Sequence, residues 1–153
     1  MLSSRLVRLI EVHWDPLTTR VVQDIRGDVR LRCVGSLPEG DLRERARDIL
    51  QHLDHWLVES HEHELARHFE HIGAERHREE IPLDEVVLAY LKIKRHAINF
   101  VRSQGMGPST VELYAEEELE HAVGGFFDNA VYHLIRGYQQ AQSERHRAAA
   151  ERG

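Results

Sequence analysis

The sequence predicts an all-α domain of five to six helices with a long C-terminal helix, and three observations carry that reading. Apolar residues recur every three to four positions along most of the 153 residues, which is the period of one helix face. Only 4 Pro and 10 Gly occur, a composition that favours helices. No stretch alternates with period two for long enough to demand a sheet. The length is that of one domain, sufficient to bury a continuous core.

The first segment runs from about Ser3 to Arg26, with Leu6, Leu9, Ile10, Trp14, Leu17, Val21 and Ile25 at helical spacing. Pro16 interrupts it. Asp15-Pro16 has the form of an N-cap followed by Pro at the first helical position, so a kinked helix and two consecutive helices both satisfy the pattern. Gly35 to Gly40 is the clearest loop. Asp41 is then expected to cap an amphipathic helix reaching about Glu59, with Leu42, Ala46, Ile49, Leu50, Leu53, Trp56 and Leu57 on one stripe. A more polar helix follows from about His61 to Glu79, with a thin apolar edge of Leu65, Phe69 and Ile72.

Ile81-Pro82 ends that helix, because Pro disfavours helical geometry in the residue before it. The next covers about Leu83 to Ser103, with Leu83, Val86, Val87, Tyr90, Leu91, Ile98 and Val101 expected inward. Gly105-Met106-Gly107-Pro108 closes it. The last helix is expected from about Ser109 to Gln142, with Leu119, Val123, Phe126, Phe127, Ala130, Val131, Leu134 and Tyr138 along one side. Residues 1–142 are thus expected to form the domain, and 143–153, rich in Ala and Arg, a frayed helical tail or linker. Gly124-Gly125 falls inside the last helix, where each Gly costs about 1 kcal/mol relative to Ala, and close helix packing is the expected reason. Periodicity does not choose between a helical bundle and a globin-like arrangement.

Composition narrows function. Lys and Arg total 20 against 26 Asp and Glu, a net charge of −6 with His neutral, which argues against nucleic acid as the primary partner. Arg20, Arg26, Arg30 and Arg32 give only a local basic bias. The 12 His residues would move the charge toward zero as they protonate near pH 6. One cysteine, Cys33, permits no internal disulfide and no Cys-based zinc site, as expected of a cytoplasmic protein. No run approaches the ~20 apolar residues of a membrane span, and Arg5, Arg8 and Glu11 break up the apolar N-terminus, so no membrane role is expected.

No hydrolase signature and no phosphate-cradling glycine loop is present, so no catalytic residues are expected. His61, Glu64, His68, His71 and Glu75 follow spacings of 3, 4, 3 and 4 and share a helix row. His61, Glu64 and His68 are the weak metal candidates; a solvated His/Glu face explains the same row. Glu118 and His121 form one Glu-x-x-His with no second copy on a core face, so a ferritin-like di-metal site fails. Lys94 falls within the expected inward stripe beside Tyr90, where a buried ammonium needs a counter-charge and a snorkelling one does not. Lys94, Tyr90 and His96 are therefore the candidate pocket for a small anion.

The blocks LVRLIEVHWDPLTTRVVQDIR, LPEGDLRERARDILQHLDHWL, RHREEIPLDEVVLAYLKIKRHAINFV and ELYAEEELEHAVGGFFDNAVYHLIRGY, taken in that order, resemble the RsbR-type (RsbT co-antagonist) N-terminal domain family. The resemblance covers about Leu6 to Tyr138. Glu80 stands where the family commonly has Gly before Ile81-Pro82. The resemblance implies a globin-like fold without haem, dimerisation through helices, and a sensory or scaffolding role of the stressosome or histidine-kinase-input type, with a signalling-protein partner. It carries no catalytic residues. Haem-binding globin-coupled sensors look similar in outline, and His77, four residues before Ile81, is the haem-ligand candidate of that alternative. The sequence is accordingly expected to encode a cofactor-free, dimeric signalling module that relays its signal through the last helix.

Overall fold

The computed structural model describes residues 2–58, 62–104 and 110–153. Among these residues there are eight helices and no strand: α1 (Leu2–Val12), α2 (Trp14–Gly27), α3 (Arg32–Gly35), α4 (Glu39–Leu50), α5 (Leu53–Val58), α6 (Glu62–Arg78), α7 (Leu83–Ser103) and α8 (Thr110–Arg152). The all-α expectation holds. The larger count arises because two expected helices divide and a short one, α3, forms just ahead of the expected Gly35–Gly40 loop.

The first division falls at His13, whose N–H still reaches the Leu9 carbonyl at 2.9 Å while its ring nitrogen makes a second 2.9 Å contact with the same oxygen. Pro16 lies in the first turn of α2, where its missing N–H costs no internal bond. The N-cap is therefore His13 and not Asp15. Asp15 instead receives Arg43 of α4, whose guanidinium also donates to Thr19 at 2.9 Å. The second division falls at Gln51-His52, where the last bond tightens to His52 N–H→Ile49 carbonyl. Leu50 and Leu53, both fully buried, flank that turn.

α4 begins three residues earlier than expected, with Pro38 in place of Asp41 as its N-cap, in extended geometry, and Glu39 and Asp41 in the first turn. α7 begins in the same way after Pro82, with Asp84 and Glu85 in its first turn. Acidic side chains there complement the exposed N–H groups and the positive end of the helix. The Gly35–Gly40 stretch is only partly loop, because Arg32–Gly35 forms α3. Gly105 to Pro108, expected to end α7, lies outside the described residues.

The core is one continuous cluster. α8 packs most extensively against α6 and also meets α7, α1 and α5, while α2 meets α4, α7, α3 and α1. α7 thus lies between the two groups. Phe127, Leu119, Leu134, Phe69, Leu17 and Leu50 have essentially no exposed surface, and burying each contributes about 1.5–3 kcal/mol.

α6 and α8 touch backbone to backbone. A Cβ on Gly73 would collide with the Leu134 carbonyl, and one on Gly137 with the Glu70 carbonyl. Only glycine permits that approach. Gly124-Gly125, expected to serve this purpose, does not: Gly124 has only the Lys94 side chain near its missing Cβ, and Gly125 has nothing within 4 Å.

α7 is rotated relative to the expected stripe. Val86, Tyr90 and Val101 are buried as expected, but Leu91 is 40% exposed, and the centre of the buried face runs through Ala89, Ile93, Ala97 and Phe100. The small Ala89 and Ala97 side chains allow neighbouring helices to approach, so the stripe follows them and not the larger Leu91. α8 continues as helix through Arg152, and its last dozen residues lie almost wholly in solvent. No helix among the described residues is long and apolar enough to cross a membrane.

Candidate functional site

The rotation of α7 decides which of its charges are buried. Lys92, not Lys94, is the inward lysine, with 3% of its side chain exposed. Its ammonium lies 2.7 Å from Asp24 and 3.0 Å from Asp28, both on the α2 side. Asp24 also accepts from His96 Nε2 at 2.9 Å, and Asp28 accepts from Arg30 at 2.6 Å. Burial alone would raise the Asp24 carboxyl, but the hydrogen bonds from Lys92 and His96 hold it below its ordinary value. Asp28 is likewise held low by Arg30 and Lys92. Glu85, buried on the same helix, accepts the N–H groups of Cys33 at 2.9 Å and Val34 at 3.2 Å at the start of α3. Together these contacts fasten α7 to α2 and α3.

The three expected pocket residues part company. Lys94 reaches α8, where its ammonium lies 2.9 Å from Asp128 with both side chains partly in solvent. His96 turns to Asp24 on α2. Tyr90 faces the opposite side, edge-on to Phe69 of α6, and burial raises its hydroxyl to about 12. Of the three, Tyr90 lines a cavity.

That cavity is apolar and about 50 Å³ in volume, walled by side chains of α2, α3, α4 and α7 such as Ile25, Val34, Ala46 and Ile93. Beside it lies an open cleft of about 670 Å³ between α4, α5 and α6. Arg45, Ile49, Arg76 and Tyr90 border both spaces. Arg45 and Arg76 converge on one carboxylate, Glu79, at 2.5 Å from Arg45 and in direct contact with Arg76. Partial burial would raise Glu79, but the two guanidiniums hold it below the ordinary carboxylate value.

Glu79 lies in the turn between α6 and α7. The Glu80 N–H bonds the His77 carbonyl at 3.0 Å and the Ile81 N–H bonds the Arg76 carbonyl at 3.2 Å, the double closure of a Schellman motif. Its left-handed position is Glu80, with φ of 62°, where the lack of a Cβ would favour glycine. The turn is fastened to α8 by Tyr138, whose hydroxyl donates to the Ile81 carbonyl at 2.7 Å and whose ring receives His77 edge-on at 5.1 Å.

The histidine row of α6 borders the cleft without converging. His61 lies outside the described residues. Glu64 pairs with His55 of α5 at 2.9 Å, and His71 pairs with Glu75 at 3.0 Å. His68 packs on Trp56 at 5.4 Å, and burial followed by the nearby His71 lowers its pKa. No group of three or more His, Cys, Asp or Glu among the described residues could hold a metal ion. Glu118 and His121 are both exposed on α8.

Sequence reasoning did not single out Lys92, Asp24, Asp28, Glu85, Arg45, Arg76 or Glu79. A signal was available for two of them: Glu85 and Lys92 are seven residues apart, two turns along the row that flanks Ala89.

No curated protein and no solved structure matches the chain at a significant level. The family model of the RsbT co-antagonist protein rsbRD N-terminal domain matches residues 15–152, nearly the whole chain. It spans the Asp24–Lys92 network, the Schellman turn and all of α8, and the chain belongs to the RsbT co-antagonist protein rsbRD N-terminal domain family.

Proposed function

We propose that this chain is a non-enzymatic, cytoplasmic regulatory module of the stressosome type, which acts as a homodimer and passes a signal along α8 to a signalling-protein partner. The observation that carries the reading is α8 itself. Its 43 residues form one helix that starts beside the core, crosses α6 at the Gly73 and Gly137 contact and ends in solvent at Arg152. At 1.5 Å per residue it is about 65 Å long. A helix rooted in a rigid core and projecting from it transmits a displacement at one end to the other.

The dimer surface we propose is the outer seam of α7 and α8. Arg102 pairs with Glu120 and Lys94 with Asp128, each at 2.9 Å, so the helices run antiparallel. That register places the exposed Leu91 level with Val131 and the exposed Tyr132, and the half-exposed Ile98 level with Gly124. An apolar strip flanked by glycines lets a second pair of helices approach closely. Light scattering on the purified chain tests this reading: a dimer that dissociates on Leu91→Glu supports it, and a strict monomer at high concentration contradicts it.

The reading is cofactor-free. His77, the haem-ligand candidate, packs edge-on against Tyr138 and borders a groove lined mostly by charged and polar side chains such as Glu70, Arg78, Glu144 and Arg145, a poor match for the apolar pocket a haem needs.

A further inference from the structure

We infer that the open cleft between α4, α5 and α6 binds one neutral, planar aromatic molecule carrying a hydrogen-bond acceptor, which lies against Trp56 and accepts from the Tyr90 hydroxyl. This names a ligand class for the regulatory module proposed above, and the ligand's role as a signal rests on that reading.

The cleft has the size and the lining of a small-molecule site. Its volume of about 670 Å³ falls within the roughly 300–1,000 Å³ common for such sites, and Ile49, Trp56, Phe69 and Ile72 give it apolar and aromatic walls. Trp56 is only half-buried. Its ring stacks on Phe126 of the core at 6.2 Å, and His68 at 5.4 Å and Phe69 at 5.8 Å are tilted against it. Phe69 in turn meets Tyr90 edge-on at 6.2 Å. A flat ring in the cleft meets a wall of rings with which it can make the offset and edge-on contacts that aromatic pairs prefer. A saturated ring of the same size gains the burial without those contacts.

Tyr90 supplies the polar anchor. The residue is 9% exposed, yet its hydroxyl has no hydrogen-bond partner among the described residues, whereas a buried tyrosine ordinarily finds one. Arg45, Arg76 and Asp48 are the charges that act on this hydroxyl, and all three line the cleft, so the group lies at that end of it. Burial keeps it protonated, and it therefore donates. The charges around the cleft already answer one another: Arg45 and Arg76 meet Glu79, His55 meets Glu64, and His71 meets Glu75. At the Tyr90 end Asp48 opposes an anion and the two guanidiniums oppose a cation, so a neutral ligand fits best. A molecule held between Trp56 and Tyr90 ties α5 to α7 beside α6, the helix pressed backbone to backbone on α8.

Isothermal titration of the full chain at neutral pH with acetophenone, its saturated analogue cyclohexyl methyl ketone, and benzoate tests the proposal. Acetophenone is expected to bind saturably, the saturated ketone roughly three- to tenfold more weakly, and benzoate at least about tenfold more weakly. Tyr90→Phe keeps the ring and removes the donor, so it is expected to weaken acetophenone binding roughly three- to tenfold. Its melting temperature should match the wild type, because the hydroxyl bonds nothing in the folded protein. Ile72→Trp narrows the cleft and is expected to abolish binding with its melting transition retained. In nitrogen–proton NMR spectra the indole signal of Trp56 should shift on saturation and that of Trp14 should not. Absence of saturable heat below about 10 mM acetophenone overturns the proposal. Equal binding of the saturated ketone or of benzoate overturns it too, as does binding that Tyr90→Phe leaves unchanged or that leaves the Trp56 signal in place. Those last two readouts decide the matter even if Ile72→Trp fails to fold. The dimer mass measured on the same samples separates the two readings: a dimer without ligand binding sinks this site and leaves the module standing.

Discussion

The Tyr138 hydroxyl donates a 2.7 Å hydrogen bond to the Ile81 carbonyl, joining the long C-terminal helix to the turn between α6 and α7. The donor is on the helix that leaves the domain, and the acceptor follows the left-handed Glu80. Removing the hydroxyl strands a buried carbonyl, so Tyr138→Phe is expected to lower stability by about 1–3 kcal/mol in urea denaturation, with the slope unchanged.

The turn itself offers a stabilising change. Glu80 adopts φ of 62° with an exposed side chain whose nearest charged partner, Arg145, is 3.7 Å away. Glu80→Gly removes the Cβ strain and loses little else, and should raise stability by about 1 kcal/mol, seen as a higher melting temperature.

The glycines at the α6–α8 crossing, Gly73 and Gly137, should separate cleanly from the Gly124-Gly125 pair. Gly137→Ala places a methyl group into the Glu70 backbone and is expected to destabilise by about 3 kcal/mol or more. Gly125→Ala meets nothing within 4 Å in one protomer and should stabilise the isolated fold by about 0.5–1 kcal/mol. If Gly125 lies at the seam between two copies, the same substitution weakens the dimer. Thermal melts and sedimentation of the two variants distinguish these effects.

Acid should loosen the α2–α7 tie in a defined direction. Asp24 is held below its ordinary value of 3.8 in the folded protein, so its contribution is complete above that pH and is lost as pH falls through the lower folded value. Asp28 and Glu79 titrate in the same sense. His68 adds a second window: its lowered pKa means the unfolded chain takes up the proton first, so stability declines as pH falls below the ordinary value of 6.5. Replacing both Asp24 and Asp28 with Ala leaves Lys92 buried without a counter-charge and should cost about 3–5 kcal/mol, while Lys92→Met should cost much less. Denaturation curves at pH 7, 5 and 3 check both the sign and the ranking.

The large apolar periods made most helices legible. α6 and α7 begin and end within one or two residues of where Leu65, Phe69, Tyr90 and Val101 predict, and the α8 stripe from Leu119 to Tyr138 is buried apart from the half-exposed Val131. What the sequence hid was set by small residues. Ala89 and Ala97 turn α7 so that Lys92 is buried and Lys94 is not, a distinction of two positions that hydrophobicity alone assigned the other way. Gly73 and Gly137 lie far apart in the chain, and no local pattern says that each is pressed against the other helix's backbone. The site followed the same rule. Tyr90 was legible as an inward aromatic residue, but Arg45, Arg76 and Glu79 come from two helices and a turn, and only tertiary packing brings them together.

The most direct test of the central claim is the mass in solution, by multi-angle light scattering, of the wild type and of Leu91→Glu across a wide concentration range. A regulatory module that dimerises through the α7–α8 seam gives a species of twice the 17.8 kDa chain mass, which Leu91→Glu converts to a folded monomer. A wild-type protein that remains at 17.8 kDa at the highest concentration, or a dimer indifferent to Leu91→Glu, contradicts it.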